Sequence, residues 1–143
     1  MNLDWVIPCR YVEVHDNLGT IIGAGIDTFW LPELPQTITV VLAVRLLATP
    51  EELDENVQHT AINRVRDPSG ELVSEVGGEF AVGGGDSARP DWLTGIILPS
   101  LVQIEVTEAG TYMIEHELDG SSKSLPIHVV QGLPAGMDHP EGE

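Results

Sequence analysis

The chain has 143 residues, and 23 acidic against 6 basic side chains give it a formal net charge of −17. This length predicts one domain with a core of its own, which we place at residues 1–131. Because such a charge repels phosphate backbones and anionic lipid surfaces, it excludes nucleic acid and membranes as partners. A lone Cys9 forms no internal disulfide, and we therefore expect a cytoplasmic location.

The two ends of the chain carry no targeting pattern. An acid and no base precedes the first apolar residues, which excludes a secretory signal, and no apolar run is long enough to span a bilayer. Residues 132–143 are rich in Gly, Pro and acids, and this composition predicts a flexible acidic C-terminal tail.

The first half of the chain consists of short runs that alternate with a period of two. Residues 5–14 and 20–30 flank a turn at 15–19 and predict a hairpin. Prolines between residues 31 and 35 end the pairing, because proline donates no backbone hydrogen bond. Residues 37–48 are apolar on both faces, which is typical of a central strand.

One short helix is predicted after that strand, where Thr49 as a cap, Pro50 and two early acids match the rules for a helix start. Residues 57–66 and 71–82 then predict two strands around a β-turn at 67–70. The pair Gly77–Gly78 in the second of these strands predicts a β-bulge.

A loop at residues 83–92 precedes the last three predicted strands. The first covers residues 96–106 and carries Pro99, which places it at an edge or a bulge. Residues 111–118 and 123–130 form a hairpin around Asp119–Gly120. Its apolar positions share one face, and His116 falls among them, so we expect a hydrogen-bonded interior histidine.

These elements predict an all-β fold, an antiparallel two-sheet immunoglobulin-like sandwich of about seven to nine strands with at most one short helix. The segment Glu108–Tyr112 resembles the tyrosine corner of such sandwiches, in which the phenol bonds to the backbone a few residues upstream. The disulfide position two residues later is the apolar Ile114.

Five motifs in the first half of the chain carry a resemblance to known proteins: Cys9–Val14, Leu18–Gly25, Asp27–Thr28, Pro32–Pro35 and Arg66–Glu71. Together they resemble a family of small, often actinobacterial, proteins of unknown function. The resemblance spans most of the first 71 residues, and the family often has Asp where this chain has Arg10. It implies a small β-sandwich and carries over no functional residue.

Patterns that carry catalysis or a cofactor are weak in this sequence. Gly23–Ala24–Gly25 does not open a helix, as a phosphate-binding turn must. Cys9 lies mid-strand, where a lone cysteine is usually a small buried hydrophobe. His59, His116 and His128 lack the spacing of metal ligands. We therefore expect no enzymatic activity, no cofactor and no metal.

Two sets of residues are candidates for binding. Glu115 and Glu117 project from one strand face, and Glu105 is expected on the neighbouring strand, so the three would form an acidic patch for a basic protein surface. A solvated face that keeps the protein soluble is the alternative. Trp30 and Trp92 lie at predicted strand and loop rims, which suits sugar stacking or a protein contact, and core packing is the alternative.

We conclude from the sequence that the protein is a non-enzymatic interaction or adaptor module that binds another protein. A carbohydrate-binding or glycan-hydrolysing domain that uses Trp30, Trp92 and the acids is one alternative. A structural protein that assembles with its own copies through exposed edge strands is the other.

Overall fold

The computed structural model of the chain describes residues 1–16, 18–82 and 92–134. The all-β class with one short helix is confirmed, and the described residues form ten strands, slightly more than expected. The strands are β1 (Asn2–Cys9), β2 (Tyr11–His15), β3 (Leu18–Ile22), β4 (Thr28–Leu31), β5 (Gln36–Ala48), β6 (Gln58–Arg66), β7 (Leu72–Ala81), β8 (Thr94–Val106), β9 (Gly110–Leu118) and β10 (Ser121–Gln131), and the helix is α1 (Pro50–Asp54).

Among the described residues the strands form two larger sheets and one small one. The order is β1-β5-β8 in the three-stranded sheet and β4-β10-β9-β6-β7 in the five-stranded sheet. The β2–β3 hairpin makes a third sheet, which the sequence did not predict, and it contacts β5 and β8. Gly19 lets the hairpin come close, because a Cβ at this position would lie 2.9 Å from Cδ1 of Ile97.

One apolar core lies between the two larger sheets. Leu42 and Leu46 of β5 are fully buried there with Ile114 and Leu118 of β9, and residues from Leu3 to Val129 contribute to it. As predicted, β5 is a central strand, paired with β1 on one side and β8 on the other. No helix among the described residues is long and apolar enough to cross a membrane.

Three local predictions are confirmed. Thr49 caps α1 in a capping box with Glu52, whose backbone N–H donates to the threonine hydroxyl. The β9–β10 hairpin forms around Asp119–Gly120 as predicted, with its apolar face buried. The Tyr112 hydroxyl, deeply buried, donates a 2.9 Å hydrogen bond to the carbonyl of Glu108, as expected of a tyrosine corner.

The first predicted hairpin is wrong at both of its ends. β1 stops before Arg10 and pairs with β5, and only residues 11–22 form the hairpin. Gly23 and Gly25 have positive φ and turn the chain, and the N–H of Gly25 donates to the carbonyl of Pro8 at 2.7 Å. β4 then lies parallel to β10, a pairing between distant segments that no local pattern reveals.

The predicted bulge at Gly77–Gly78 is also wrong. Both glycines pair in regular register with β6, and the irregularity lies between Val65 and Arg66, beside the 67–70 turn. Gly77 is explained by close packing instead, because a Cβ there would lie 3.3 Å from Cγ1 of Ile62. Pro99 lies on β8, which is an edge strand as predicted. The predicted loop at 83–92 and tail at 132–143 fall mostly outside the described residues, at 83–91 and 135–143.

Candidate functional site

Two of the predicted acidic residues meet a basic partner on the outer face of the five-stranded sheet. Glu115 and Glu117 project from β9 on the face opposite the buried Tyr112 and Ile114, as predicted. Nη1 of Arg64 on the adjacent β6 donates to Oε1 of Glu115 at 2.8 Å and to Oε2 of Glu117 at 2.5 Å. The pair therefore presents less negative charge than the sequence suggested.

A third carboxylate joins the same cation from the other side. Nε of Arg64 donates to Oε2 of Glu75 on β7 at 2.8 Å, so three strands are linked through one guanidinium. Hydrogen bonds to Glu115, Glu117 and Glu75 raise the pKa of Arg64 further above its ordinary value. We call these four residues the Arg64 cluster. Sequence reasoning missed Arg64, because nothing in a strand pattern shows that β6 pairs with β9.

Glu105 does not belong to this cluster, and its expected place beside Glu115 is wrong. It lies on β8, opposite Thr37 of β5, in the three-stranded sheet. The segment from Thr107 to Gly110 does not close a hairpin but carries the chain from one sheet to the other. The hydrogen bond of Tyr112 to Glu108 braces this crossing.

Glu105 instead borders an open groove of about 650 Å³ between the edge strands of the two larger sheets. Its apolar part is exposed: Val76 on β7 has 67% of its surface accessible, and Leu101 on β8 has 66%. Val73 on β7 is exposed as well. We call this feature the β7–β8 groove; its other lining residues are Thr37, Thr39, Asn63, Ser74, Val102 and Gln103.

The structure does not bring the two candidate tryptophans together. Trp30 lies on β4, the edge strand at the far side of the five-stranded sheet from β7. Trp92 precedes β8, whose first residue pairs with Ala48, the last residue of β5. Trp30 comes shortly before the first residue of β5, a strand roughly 40 Å long at 3.3 Å per residue. Both rings are exposed, at 43% and 59%, but toward opposite ends of the molecule.

A buried histidine and a turn aspartate hold β6 against the β9–β10 hairpin. Nδ1 of His59 lies 2.6 Å from Oδ2 of Asp119, and the N–H of Thr60 donates to Oδ1 at 3.0 Å. Burial alone would raise the pKa of Asp119, but the hydrogen bonds from His59 and Thr60 lower it. The sequence marked Asp119 only as a turn residue.

The remaining candidates for chemistry are held in structural roles. Cys9 is buried, and burial raises the pKa of its thiol, which weakens it as a nucleophile. Nδ1 of His128 lies 3.0 Å from the hydroxyl of Thr111. Over residues 1–16, 18–82 and 92–134, no group of three or more His, Cys, Asp or Glu side chains is arranged to hold a metal ion.

His116 is an interior histidine with a hydrogen-bond partner, as predicted. It is 4% exposed, and its Nδ1 lies 2.7 Å from Oδ1 of Asn63. Burial lowers its pKa, which keeps the ring neutral at pH 7.

Comparison with protein families matches residues 4–130 to a family described as "Family of unknown function (DUF6941)". The match covers nearly all of the core-forming strands. No protein with a curated description matches the chain.

Proposed function

The chain belongs to the family of unknown function DUF6941, and we propose that it is a non-enzymatic immunoglobulin-like β-sandwich that binds another protein in the cytoplasm. The sandwich assignment is supported by the core shared between two sheets and by the tyrosine-corner hydrogen bond of Tyr112. The binding surface that we propose is the β7–β8 groove, which takes up an extended segment of the partner.

The observation that carries this proposal is the exposed apolar side chains at the edge of the five-stranded sheet. Val73 and Val76 on β7 are both exposed, and they line the groove together with Leu101 of β8. Natural edge strands are normally short, charged or covered, because an apolar edge invites another strand. A groove that keeps apolar residues at two sheet edges is therefore suited to receive one.

The backbone of both edges is available for such a strand. Within the described residues β7 pairs with β6 alone and β8 pairs with β5 alone, so each strand has one free edge. An added strand would gain main-chain hydrogen bonds from one edge, and its alternate side chains would fill the apolar part of the groove.

Charge favours a different protein over a second copy as the occupant. Glu105 lines the groove, and the whole chain has a net charge of −17. Two such edges would repel each other, which disfavours self-assembly. The complementary occupant is a segment in which apolar residues alternate with Lys or Arg.

A peptide titration tests this proposal. The probe is a peptide of about eight residues, a common strand length, in which valine and lysine alternate, and a peptide with glutamate in place of lysine is its control. We expect saturable binding of the lysine peptide. We expect about tenfold weaker binding for Val76→Ser and for Leu101→Ser, because each variant loses an apolar contact that the bound peptide would bury.

Leu18→Ser is the matched control variant, because Leu18 is 75% exposed but lies on β3, in the separate hairpin. It should bind the lysine peptide as the wild type does. Equal binding of the two peptides, or equal binding by all variants, would contradict the proposal.

The carbohydrate alternative has less support, since Trp30 and Trp92 lie toward opposite ends of β5 and form no common stacking platform. A titration with a panel of glycans, followed by tryptophan fluorescence, separates the two functions. A saturable shift with a glycan and none with the lysine peptide would favour carbohydrate binding.

A further inference from the structure

A half-open apolar pocket of about 250 Å³ continues the β7–β8 groove at one end. On β8 the residues from Leu98 to Ser100 line this pocket, and the next residue, Leu101, lines the groove. On β7 Phe80 lines the pocket and Val76 lines the groove. The two spaces therefore follow one another along the same pair of edge strands. We call the space between Phe80 and Leu98 the inner pocket.

The inner pocket reaches down to the core and is almost wholly apolar. Leu46 of β5 and Leu118 of β9 are fully buried and form its walls from opposite sheets. Seven of its nine lining residues are apolar. The two polar ones, Ser100 and His116, each have a hydrogen-bond partner in Asn63, at 2.8 and 2.7 Å. The pocket therefore suits an apolar group that needs no hydrogen bond.

A glycine on β7 leaves the passage between the groove and the inner pocket open. Gly78 lies between Val76 and Phe80, and it pairs with Ala61, which lines the pocket. Opposite residues of an antiparallel pair share a face, so a side chain at Gly78 would point into the passage. A Cβ built there meets no atom of the described residues within 4 Å. Glycine inside a strand often marks a place where a ligand approaches closely.

The volume and the apolar walls define the group that the inner pocket takes up. An apolar cavity of roughly 150 Å³ is enough for benzene, so the inner pocket accommodates a phenyl ring with its methylene group. We propose that it binds a phenylalanine side chain of the same partner segment that the β7–β8 groove receives, an inference that rests on the proposed function. Glu105 in the groove and the net charge of −17 favour lysines beside that phenylalanine. Residues 83–91 and 135–143 of the chain itself contain no Phe, Trp or Tyr, so they supply no such ring.

Peptides that carry one phenylalanine test this inference. The alternating valine–lysine peptide is compared with two relatives, in which either its first or its last valine is replaced by phenylalanine, and calorimetry measures their binding to the full chain. Because the inner pocket lies at one end of the groove, we expect one replacement to tighten binding about tenfold and the other to change it little. An antiparallel added strand would have its first residue at the pocket if it pairs with β7, and its last residue there if it pairs with β8. The tighter peptide thus also identifies the edge that is used.

Two variants at one position locate the phenylalanine. Gly78→Val fills the passage with a side chain that favours strands, and it should abolish the gain from phenylalanine. Gly78→Ala is its matched control, because a single methyl group has open space there, and it should keep the gain. The comparison of the peptides on the wild type decides the inference even if Gly78→Val fails to fold.

The outcomes separate this inference from the proposed function. If the peptide without phenylalanine binds and neither replacement tightens its binding, or if folded Gly78→Val keeps the gain, the inference is overturned and the proposed function stands. If none of the three peptides binds, both are overturned. Self-association of the wild type that Gly78→Val abolishes would assign the inner pocket to a second copy and would also overturn the inference.

Discussion

The outer face of the five-stranded sheet and the β7–β8 groove differ in whether their side chains have partners within the chain. On the outer face three carboxylates converge, and Arg64 bonds to all of them. Between β7 and β8 the apolar side chains of Val76 and Leu101 are exposed, and no other described residue covers them. The carboxylates of the outer face therefore have a partner within the chain. The exposed apolar side chains of the β7–β8 groove are instead available to a bound molecule.

The largest effect is expected from the titration of His116. Its pKa is lowered in the folded protein, so the unfolded chain takes up a proton first as the pH falls below about 6.5. The free energy of unfolding should then decrease toward acid pH, by up to about 1.4 kcal/mol per pH unit. Denaturant unfolding between pH 7.5 and pH 5 measures this slope.

His116→Gln should flatten that slope, since it removes the buried titrating ring. Leu18→Ser is the control, because Leu18 is exposed and carries no ionisable group, so its replacement should leave the slope as it is. A slope that survives unchanged in His116→Gln would contradict this prediction.

An intermediate effect is expected from Arg64→Met, which keeps the length of the side chain and removes its charge. Three carboxylates would then face one another without a cation, and we expect the melting temperature to fall by a few degrees. Binding of the lysine peptide should not weaken, because Arg64 does not line the groove. A large loss of peptide binding would show that the binding surface includes the outer face.

Salt should change the stability of the wild type in a direction set by its excess of carboxylates. At a net charge of −17, repulsion among carboxylates outweighs attraction between opposite charges, and salt screens both. The melting temperature should therefore rise with the concentration of sodium chloride. The difference between the wild type and Arg64→Met should narrow, since salt also weakens the ion pairs of the Arg64 cluster. A melting temperature independent of salt would contradict this account.

The smallest effect is expected from Val76→Ser on stability. Because Val76 is 67% exposed, its truncation should change the free energy of unfolding by less than about 0.5 kcal/mol. Chemical denaturation measures the change. A loss of several kcal/mol would show that Val76 belongs to the core instead of a binding groove.

Much of the fold follows from local patterns in the sequence. The two apolar faces of residues 37–48 correctly predicted a central strand, and Thr49 with Pro50 marked the only helix among the described residues. The β9–β10 hairpin and the hydrogen bond of Tyr112 were also predicted. Each of these features depends on residues that are close together in the chain.

The features that were missed depend on contacts between distant segments. Arg64 and Glu115 are 51 residues apart and meet because β6 lies beside β9. Glu105 on β8 and Glu115 on β9 lie in different sheets because β8 pairs with β5, which is far from it in the chain. The β7–β8 groove has no sequence signal, because it is a space between strands that are far apart in the chain.

Amide hydrogen exchange, with and without the alternating valine–lysine peptide, tests the central claim most directly. The peptide should slow the exchange of amides on β7 or β8, where an added strand takes up the free backbone edge. The amides of β4, the edge strand on the opposite side of the same sheet, should exchange as before. Protection of β4 alone, or no protection on β7 and β8 at saturating peptide, would contradict the account.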